Sequence, residues 1–259
     1  MAGGTIWKGY IHFGDTDVAV KLHTAVREER IQFHLLHSRD QVRLRQQMVC
    51  AYEKQPVPTE EQTKGFEVED GKYIIVDPEE LEQTVPESNR MIEVHEFVKT
   101  GQIDPIFLDR VYYLEPDMAG IQGKEYGALV KSLKEMDVEG ICTWTMRKRS
   151  YLGALQASGK VLRLNTLRYA DEVVPVKSLG LQDVPLSEKE LTIGSDLIEK
   201  LTAPFEPRKF ENEHQKKLQE MIEKKARGEK IAVLAPRRLK PTESDQLLQV
   251  LEASLKKAA

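Results

Sequence analysis

The sequence predicts an α+β chain dominated by β-structure, with an antiparallel meander or barrel followed by a helical C-terminal region. Two observations support this fold class. In the N-terminal half, short runs of alternating apolar and polar residues are separated by tight turns, which is typical of half-buried strands. From Asp171 onward, prolines divide the chain, and the segments between and after them carry apolar residues at helical spacing.

Size and composition set the limits on the class of protein. The chain has 259 residues, of which 40% are hydrophobic, which is enough for one large domain with a substantial core. Charged residues make up 31% and the mean hydropathy is -0.47, so we expect no membrane segment. Cys50 and Cys142 are the only cysteines. Two distant thiols favour a reducing compartment without disulfides, and the cytoplasm is the expected location.

Four strands are predicted within the first fifty residues. They are Ile6–Phe13, Val18–Val26, Ile31–Leu36 and Val42–Val49. A turn at residues 14–17 separates the first two, and four strands joined by short turns favour a meander or barrel. In the last strand Arg43 and Arg45 are two residues apart, so they are expected to project from the same face.

The next segment, Glu53–Val98, is strongly acidic, with thirteen acids and four bases. It contains predicted strands at Lys72–Val76 and Arg90–Val98. Asp77 followed by Pro78 and two glutamates is typical of a helix start, with an N-cap and acids in the first turn. We expect this acidic segment to lie on the outside, away from any bound phosphate.

A predicted strand at Val111–Leu114 continues the sheet, and a helix is predicted at Lys124–Met136. Tyr126, Leu129 and Leu133 recur in this helix at the spacing of one helical face. Such an apolar stripe favours packing against the core over binding of a ligand.

The segment Ile141–Ala170 carries six bases and no acid, although the whole chain has a net charge of -4. Its ends are predicted strands, Ile141–Met146 and Val161–Leu167, with Gly153, Ser158 and Gly159 in the connection. A positively charged sheet surface that faces a polyanion would explain this segregation of charge. The alternative is an ordinary solvated face whose acids lie elsewhere. The bases are Arg147, Lys148, Arg149, Lys160, Arg163 and Arg168.

The C-terminal region is predicted to be helical. Helices are expected at Glu188–Leu201 and at Arg208–Arg227, and a proline-bounded basic linker at residues 236–241 precedes a last helix, Thr242–Lys257. That helix either docks on its own domain or binds a groove of a partner. Its narrow apolar stripe consists of Leu247, Leu248, Leu251 and Leu255.

No arrangement of residues indicates a catalytic, cofactor or metal site. His34 and His37, with Cys50, are conceivable metal ligands, but two histidines at this spacing on a strand face opposite sides, which is unsuitable for one metal. Residues 120–124 lack the spacing of a phosphate-binding loop. The absence of a catalytic arrangement, together with a basic sheet, favours a binding protein over an enzyme.

Several short motifs occur in a consistent order over residues 5–200. Together they resemble the bacterial Ku proteins, which bind DNA ends in non-homologous end joining. Tyr151 departs from the pattern, since a histidine is common at this position. The motifs are IWKG at 6–9, FG at 13–14, IDPI at 103–106, YYLEPD at 112–117, the helix around 124–129, the residues 152–155, and TLRY at 166–169 with DEV at 171–173 within the matching segment 162–173.

The resemblance implies a Ku-type β-barrel core with a long arm, paired with a second copy to form a ring through which double-stranded DNA threads. It also implies recruitment of DNA ligase D through the C-terminal region, and association with the bacterial nucleoid. The expected divisions are a core at 1–200, a charged helix and linker at 201–240, and a partner-binding helix at 241–259. The expected DNA contacts are Arg43, Arg45, Arg147, Lys148, Arg149, Lys160, Arg163 and Arg168, and the expected ligase contacts are the four leucines of the last helix.

Two alternatives remain open from the sequence. One is a basic β-barrel that binds nucleic acid without preference for ends. The other is a Ku protein with lyase activity at abasic sites, which needs an amine nucleophile, although no lysine is marked for that role.

Overall fold

The computed structural model describes residues 4–27, 30–87, 89–117, 123–181 and 187–228. The chain divides into two compact units, Met1–Glu28 with His34–Val176, and Glu29–Phe33 with Lys177–Ala259. Within the described ranges, no helix combines the length and the apolar character needed to cross a membrane.

The first unit contains a closed barrel of seven strands: β1 (Thr5–Phe13), β2 (Thr16–Thr24), β5 (Met91–Lys99), β6 (Leu108–Pro116), β7 (Val138–Met146), β8 (Arg149–Ser158) and β9 (Val161–Leu167). Their order around the barrel is β1-β2-β6-β9-β8-β7-β5. Neighbouring strands pair antiparallel, except that β1 and β5 pair parallel and thereby close the barrel. The predicted β-barrel is therefore confirmed. A separate two-stranded sheet is formed by β3 (Lys64–Glu69) and β4 (Lys72–Val76).

The barrel encloses an apolar core to which every barrel strand contributes at least one side chain. Helix α2 (Gly123–Met136) adds the apolar stripe predicted from its sequence, although Met136 at its end is exposed. The Tyr126 hydroxyl of this helix donates to the Leu114 carbonyl oxygen (2.5 Å) and accepts from the Leu162 backbone N–H (2.8 Å). Fully buried core residues are Ile11, Val18, Val20, Leu22, Ile92, Leu114, Cys142, Leu155, Leu162 and Leu164.

Closure of the barrel depends on a glycine. The Tyr10 N–H donates to the Arg90 carbonyl oxygen (2.9 Å) where β1 meets the start of β5. A Cβ atom on Gly9 would lie 2.1 Å from that carbonyl oxygen and 2.2 Å from the Trp7 ring. Only a residue without a side chain allows the two strands to approach this closely.

Residues 34–87 leave the barrel between β2 and β5, and we call them the arm. The arm contains the β3–β4 hairpin and helix α1 (Pro78–Gln83), whose predicted N-cap at Asp77 is confirmed by a capping box. The arm also contains Cys50, which is partly exposed.

Two predicted strands, Ile31–Leu36 and Val42–Val49, are wrong. Their described residues form only two isolated bridges, one between Leu36 and Arg43 and one between Val49 and Pro56. Their apolar and polar residues alternate as in a strand, but they pair with no barrel strand. Without a neighbouring ladder, an alternating sequence has no surface against which to bury one face.

The second unit contains the helices α3 (Glu188–Leu201) and α4 (Glu213–Ala226). The prediction for α3 is confirmed, with Ser187 as N-cap accepting from the Glu190 N–H. Helix α4 begins later than predicted, because Asn212 caps it and a 3-10 turn at Pro207–Lys209 precedes it. The predicted linker at 236–241 and the helix Thr242–Lys257 with its four leucines lie outside the described residues.

Candidate nucleic-acid interface

The basic segment folds into three strands, not two. Strand β8 occupies the region expected to be a connection, so Gly153 and Ser158 lie in a strand and only Gly159 lies in a turn. A Cβ atom on Gly153 would lie 2.5 Å from the Trp144 ring, which explains a glycine in mid-strand. Small residues in β8 give a weak strand signal, and the sequence prediction therefore missed it.

The extra strand divides the bases between the two ends of the barrel. Strand β8 has ten residues, so its ends are separated by roughly 30 Å at about 3.3 Å per residue. Arg147, Lys148 and Arg149 lie at the β7–β8 turn, whereas Lys160 lies at the β8–β9 turn. The bases of the segment therefore form two groups, one at each end of β8, and their joint contact with a polyanion stays a prediction. Arg163 lies near the Lys160 end and donates through its Nε to the Gln156 Oε1 (3.1 Å).

The β7–β8 turn holds its two central residues in an unusual backbone conformation. Met146 pairs with Arg149, and the intervening Arg147 and Lys148 have φ angles of 51° and 62°. This is the geometry of a type I′ turn, in which asparagine and glycine are favoured. Each side-chain-bearing residue costs about 1 kcal/mol or more in this left-handed region. The turn therefore presents two cations at a cost in stability.

Two more arginines join these residues at the same end of the barrel. Arg168 follows β9, donates to the carbonyl oxygens of Ile106 and Leu108, and lies 3.6 Å from the Asp109 carboxylate. Arg110 on β6 lies 3.7 Å from the same carboxylate. We call the set the basic rim, which consists of Arg110, Arg147, Lys148, Arg149 and Arg168.

Arg110 was missed by the sequence prediction. It is distant in sequence from the basic segment and carries an acid, Asp109, beside it. Pairing of β6 with β9 brings it to the rim, with Leu108 opposite Leu167. The only sequence signal for Arg110 was the strand predicted at Val111–Leu114, because this strand includes Arg110 once it is extended by three residues to Leu108.

One acid of the arm lies against the basic rim. The Lys148 ammonium group donates to the Glu82 Oε1 of α1 (3.2 Å), and both side chains are largely exposed. One acid of the acidic segment therefore contacts a base of the basic segment, and the position of the acidic segment relative to a bound phosphate stays a prediction. An exposed pair of this kind is weak, so a bound anion would compete with Glu82 for Lys148.

Replacement of Glu82 by glutamine is expected to raise the affinity for DNA, because Lys148 no longer has to leave an ion pair before it contacts phosphate. An exposed pair is worth up to about 1 kcal/mol, so the gain is expected to reach about fivefold at low salt. Binding of a duplex by gel shift at several salt concentrations measures the effect. Glu79→Gln is the matched control, since it removes the same charge from the same helix and no described cation pairs with Glu79. An equal gain from both variants would contradict release of Lys148 as the cause.

The other two predicted DNA contacts, Arg43 and Arg45, lie in the arm and are exposed. They do not project from one strand, because residues 42–49 form no strand. Within the arm, residues 34–50 carry three arginines and one acid, Asp40. Hydrogen bonds from the Val42 backbone N–H and the His37 ring lower the pKa of the Asp40 carboxyl, which keeps it ionised. This part of the arm is a second basic surface.

Comparison with known proteins places these features in a family. Residues 12–193 match the family model for Ku, described as the Ku70/Ku80 beta-barrel domain. A relative from Geotalea uraniireducens (strain Rf4), named non-homologous end joining protein Ku 2, is 79% identical over 259 residues, which is 100% of each chain. Non-homologous end joining protein Ku from Heliobacterium modesticaldum is 37% identical, with 97% of this chain and 91% of the relative covered. The protein of the same name from Solibacter usitatus is 33% identical, with coverages of 98% and 93%.

Proposed function

The chain belongs to the bacterial Ku family of non-homologous end joining proteins, and from that premise we propose that two copies form a ring around double-stranded DNA ends. The observation that carries this proposal is the basic rim, where two cations occupy a turn that favours asparagine and glycine. Lysine and arginine contacts to phosphate hold any sequence equally well. Binding is therefore independent of sequence and dependent on salt.

The arm supports the proposal that the ring is a homodimer. Every residue of β3 and β4 except Val76 is exposed in a single copy. Phe66 and Ile75 are 67% and 65% exposed. An isolated two-stranded hairpin is marginally stable in water, and exposed apolar patches mark surfaces that a partner covers. We propose that a second copy covers the arm, so that two barrels and two arms enclose the DNA.

A ring held together by folded structure is loaded from a free end, so binding is expected to require one. Linear duplex should bind, whereas a covalently closed circle of the same sequence should bind much more weakly. Gel shift at several salt concentrations measures both. The control is the same circle cut once by a nuclease, which should recover the affinity of linear DNA. Equal affinity for the closed circle would exclude the ring and favour a barrel that binds nucleic acid without end preference.

The C-terminal leucines support a second part of the proposal, recruitment of DNA ligase D. The predicted helix Thr242–Lys257 carries these four leucines as a narrow stripe. Because an isolated helix of this length is marginal in water, we expect a surface to cover the stripe. Removal of residues 241–259 should leave the dimer, the melting temperature and the preference for ends unchanged, and should abolish stimulation of joining by the ligase. A fall in melting temperature would instead show that the leucines cover apolar surface of their own protein. Retention of both properties would contradict both roles.

A further inference from the structure

A depression of about 520 Å³ opens beside the basic rim, between the ends of the barrel strands. Its volume is in the range of pockets that hold small molecules. Its polar and aromatic side chains are those of two rim arginines, two tyrosines, one threonine and one acid. The lining residues used below are Arg110, Arg147, Tyr112, Tyr151 and Asp109.

The aromatic wall of this pocket is fixed in position. Tyr151 stacks on Trp144, with ring centroids 5.3 Å apart and an angle of 18° between the planes. Trp144 is itself buried in the core and packs over Gly153. Because stacking on Trp144 already restricts the Tyr151 ring, a second planar group can stack on this ring without a further loss of side-chain entropy.

The cationic side of the pocket has charge available for an anion. A hydrogen bond with the Tyr112 side chain raises the pKa of Arg110, and Tyr151 lies close enough to contribute. The Asp109 carboxylate is shared between Arg110 and Arg168. Among the described residues, no acid forms an ion pair with Arg147. Two guanidinium groups and one shared carboxylate therefore leave the pocket net positive.

We infer that this pocket receives one unpaired nucleotide at the end of a DNA strand, with the base against the Tyr151 wall and the phosphate between Arg110 and Arg147. This inference rests on the proposed function, because it places the pocket at the bound end. Bases inside a duplex are covered on both faces by their neighbours, so only an unpaired base can stack on a protein ring. A strand end is favoured over a free nucleotide because Arg147 belongs both to the pocket and to the rim that holds the duplex.

The test uses the full chain and a duplex whose far end is closed by a hairpin loop, so that each molecule offers one end. Three versions of that end are compared: blunt, one unpaired nucleotide at the 5′ terminus, and one unpaired nucleotide at the 3′ terminus. Stacking of one base on an aromatic side chain commonly contributes a factor of about five or more in affinity. We expect at least one overhang to bind about fivefold or more tighter than the blunt end.

The variant Arg110→Gln removes one cation from the pocket, and its side chain is 74% exposed, so the fold is expected to be unaffected. Because Arg110 also belongs to the basic rim, the variant should weaken blunt-end binding by the factor expected for the loss of one rim cation. It should in addition abolish the preference for the overhang. Arg149→Gln is the matched control, since it removes one rim cation that does not line the pocket. It should weaken blunt and overhang binding by the same factor and keep the preference.

Equal binding of all three ends by the unsubstituted protein would overturn the inference, as would a preference that survives in Arg110→Gln. In either case, end-dependent binding of the blunt duplex would still support the ring. Loss of end dependence for the blunt duplex itself would instead overturn the proposed function, and the pocket assignment with it.

Discussion

Replacement of Arg147, Lys148 and Arg149 by alanine is expected to weaken DNA binding uniformly across sequences. If each residue makes one phosphate contact, the slope of log affinity against log salt should shrink by about 3 units per subunit, at roughly -0.9 per contact. In the proposed ring both subunits carry the change, so this is the largest effect on binding that we expect from three substitutions. Gel shifts on several unrelated duplexes, each over a range of salt concentrations, measure both the affinity and the slope.

Two control variants accompany this experiment, one in the same turn and one at the opposite end of β8. The double variant Arg147→Asn with Lys148→Gly removes two of the same charges but provides the residues that a type I′ turn favours. It should lose binding while gaining about 1 kcal/mol or more in stability, because two side chains leave the left-handed region. Lys160→Ala removes a base at the opposite end of β8 and should change the slope far less. An unchanged slope in the triple variant would show that these three residues do not contact DNA phosphates. Arg43 and Arg45 would then be the next candidates.

Replacement of Gly9 by alanine is expected to cause the largest loss of stability from a single methyl group. The new Cβ atom would lie 2.1 Å from the Arg90 carbonyl oxygen, which is backbone and accepts the hydrogen bond that begins the β1–β5 pairing. Overpacking of a rigid site costs about 3 kcal/mol. For a chain of this size that lowers the melting temperature by roughly 6–12 °C. Thermal unfolding followed by circular dichroism measures the change.

Gly127→Ala is the matched control for that substitution. Gly127 lies in α2, and nothing lies within 4 Å of a Cβ atom built on it. Alanine at a free helical position should stabilise the chain by about 1 kcal/mol, since glycine is the poorer helix former. A similar fall in melting temperature for both variants would contradict a specific role of Gly9 in closing the barrel.

The local sequence pattern was sufficient to predict those strands and helices whose buried residues recur at regular spacing. Strand β1 and helix α2 each bury one regular face, and both were predicted within a residue or two. Strand β8 was missed because its interior is made of small residues whose neighbours, such as Trp144, come from another strand. The strands expected at 31–36 and 42–49 failed for the opposite reason, since alternation alone provides no partner.

In the candidate site, too, the features set by neighbouring residues were predicted, and those set by strand pairing were not. The excess of bases over acids in residues 141–170 was visible in the sequence, because it depends only on neighbouring residues. The separation of Lys160 from the rim depends on β8, and the arrival of Arg110 depends on the β6–β9 pairing. The Glu82–Lys148 pair joins residues that are 66 positions apart, which no local pattern contains.

The different surroundings of the two cysteines make the protein suitable for labelling at one site without any substitution. Burial raises the pKa of the Cys142 thiol to about 12, and this core residue is 0% exposed, so it should not react with a maleimide in the folded protein. Hydrogen bonds from the backbone N–H groups of Glu53 and Tyr52 lower the pKa of Cys50 in the arm. A dye on Cys50 would therefore follow the arm alone. In the proposed homodimer each copy carries one dye, and energy transfer between the two dyes would report the distance between the arms before and after DNA is added.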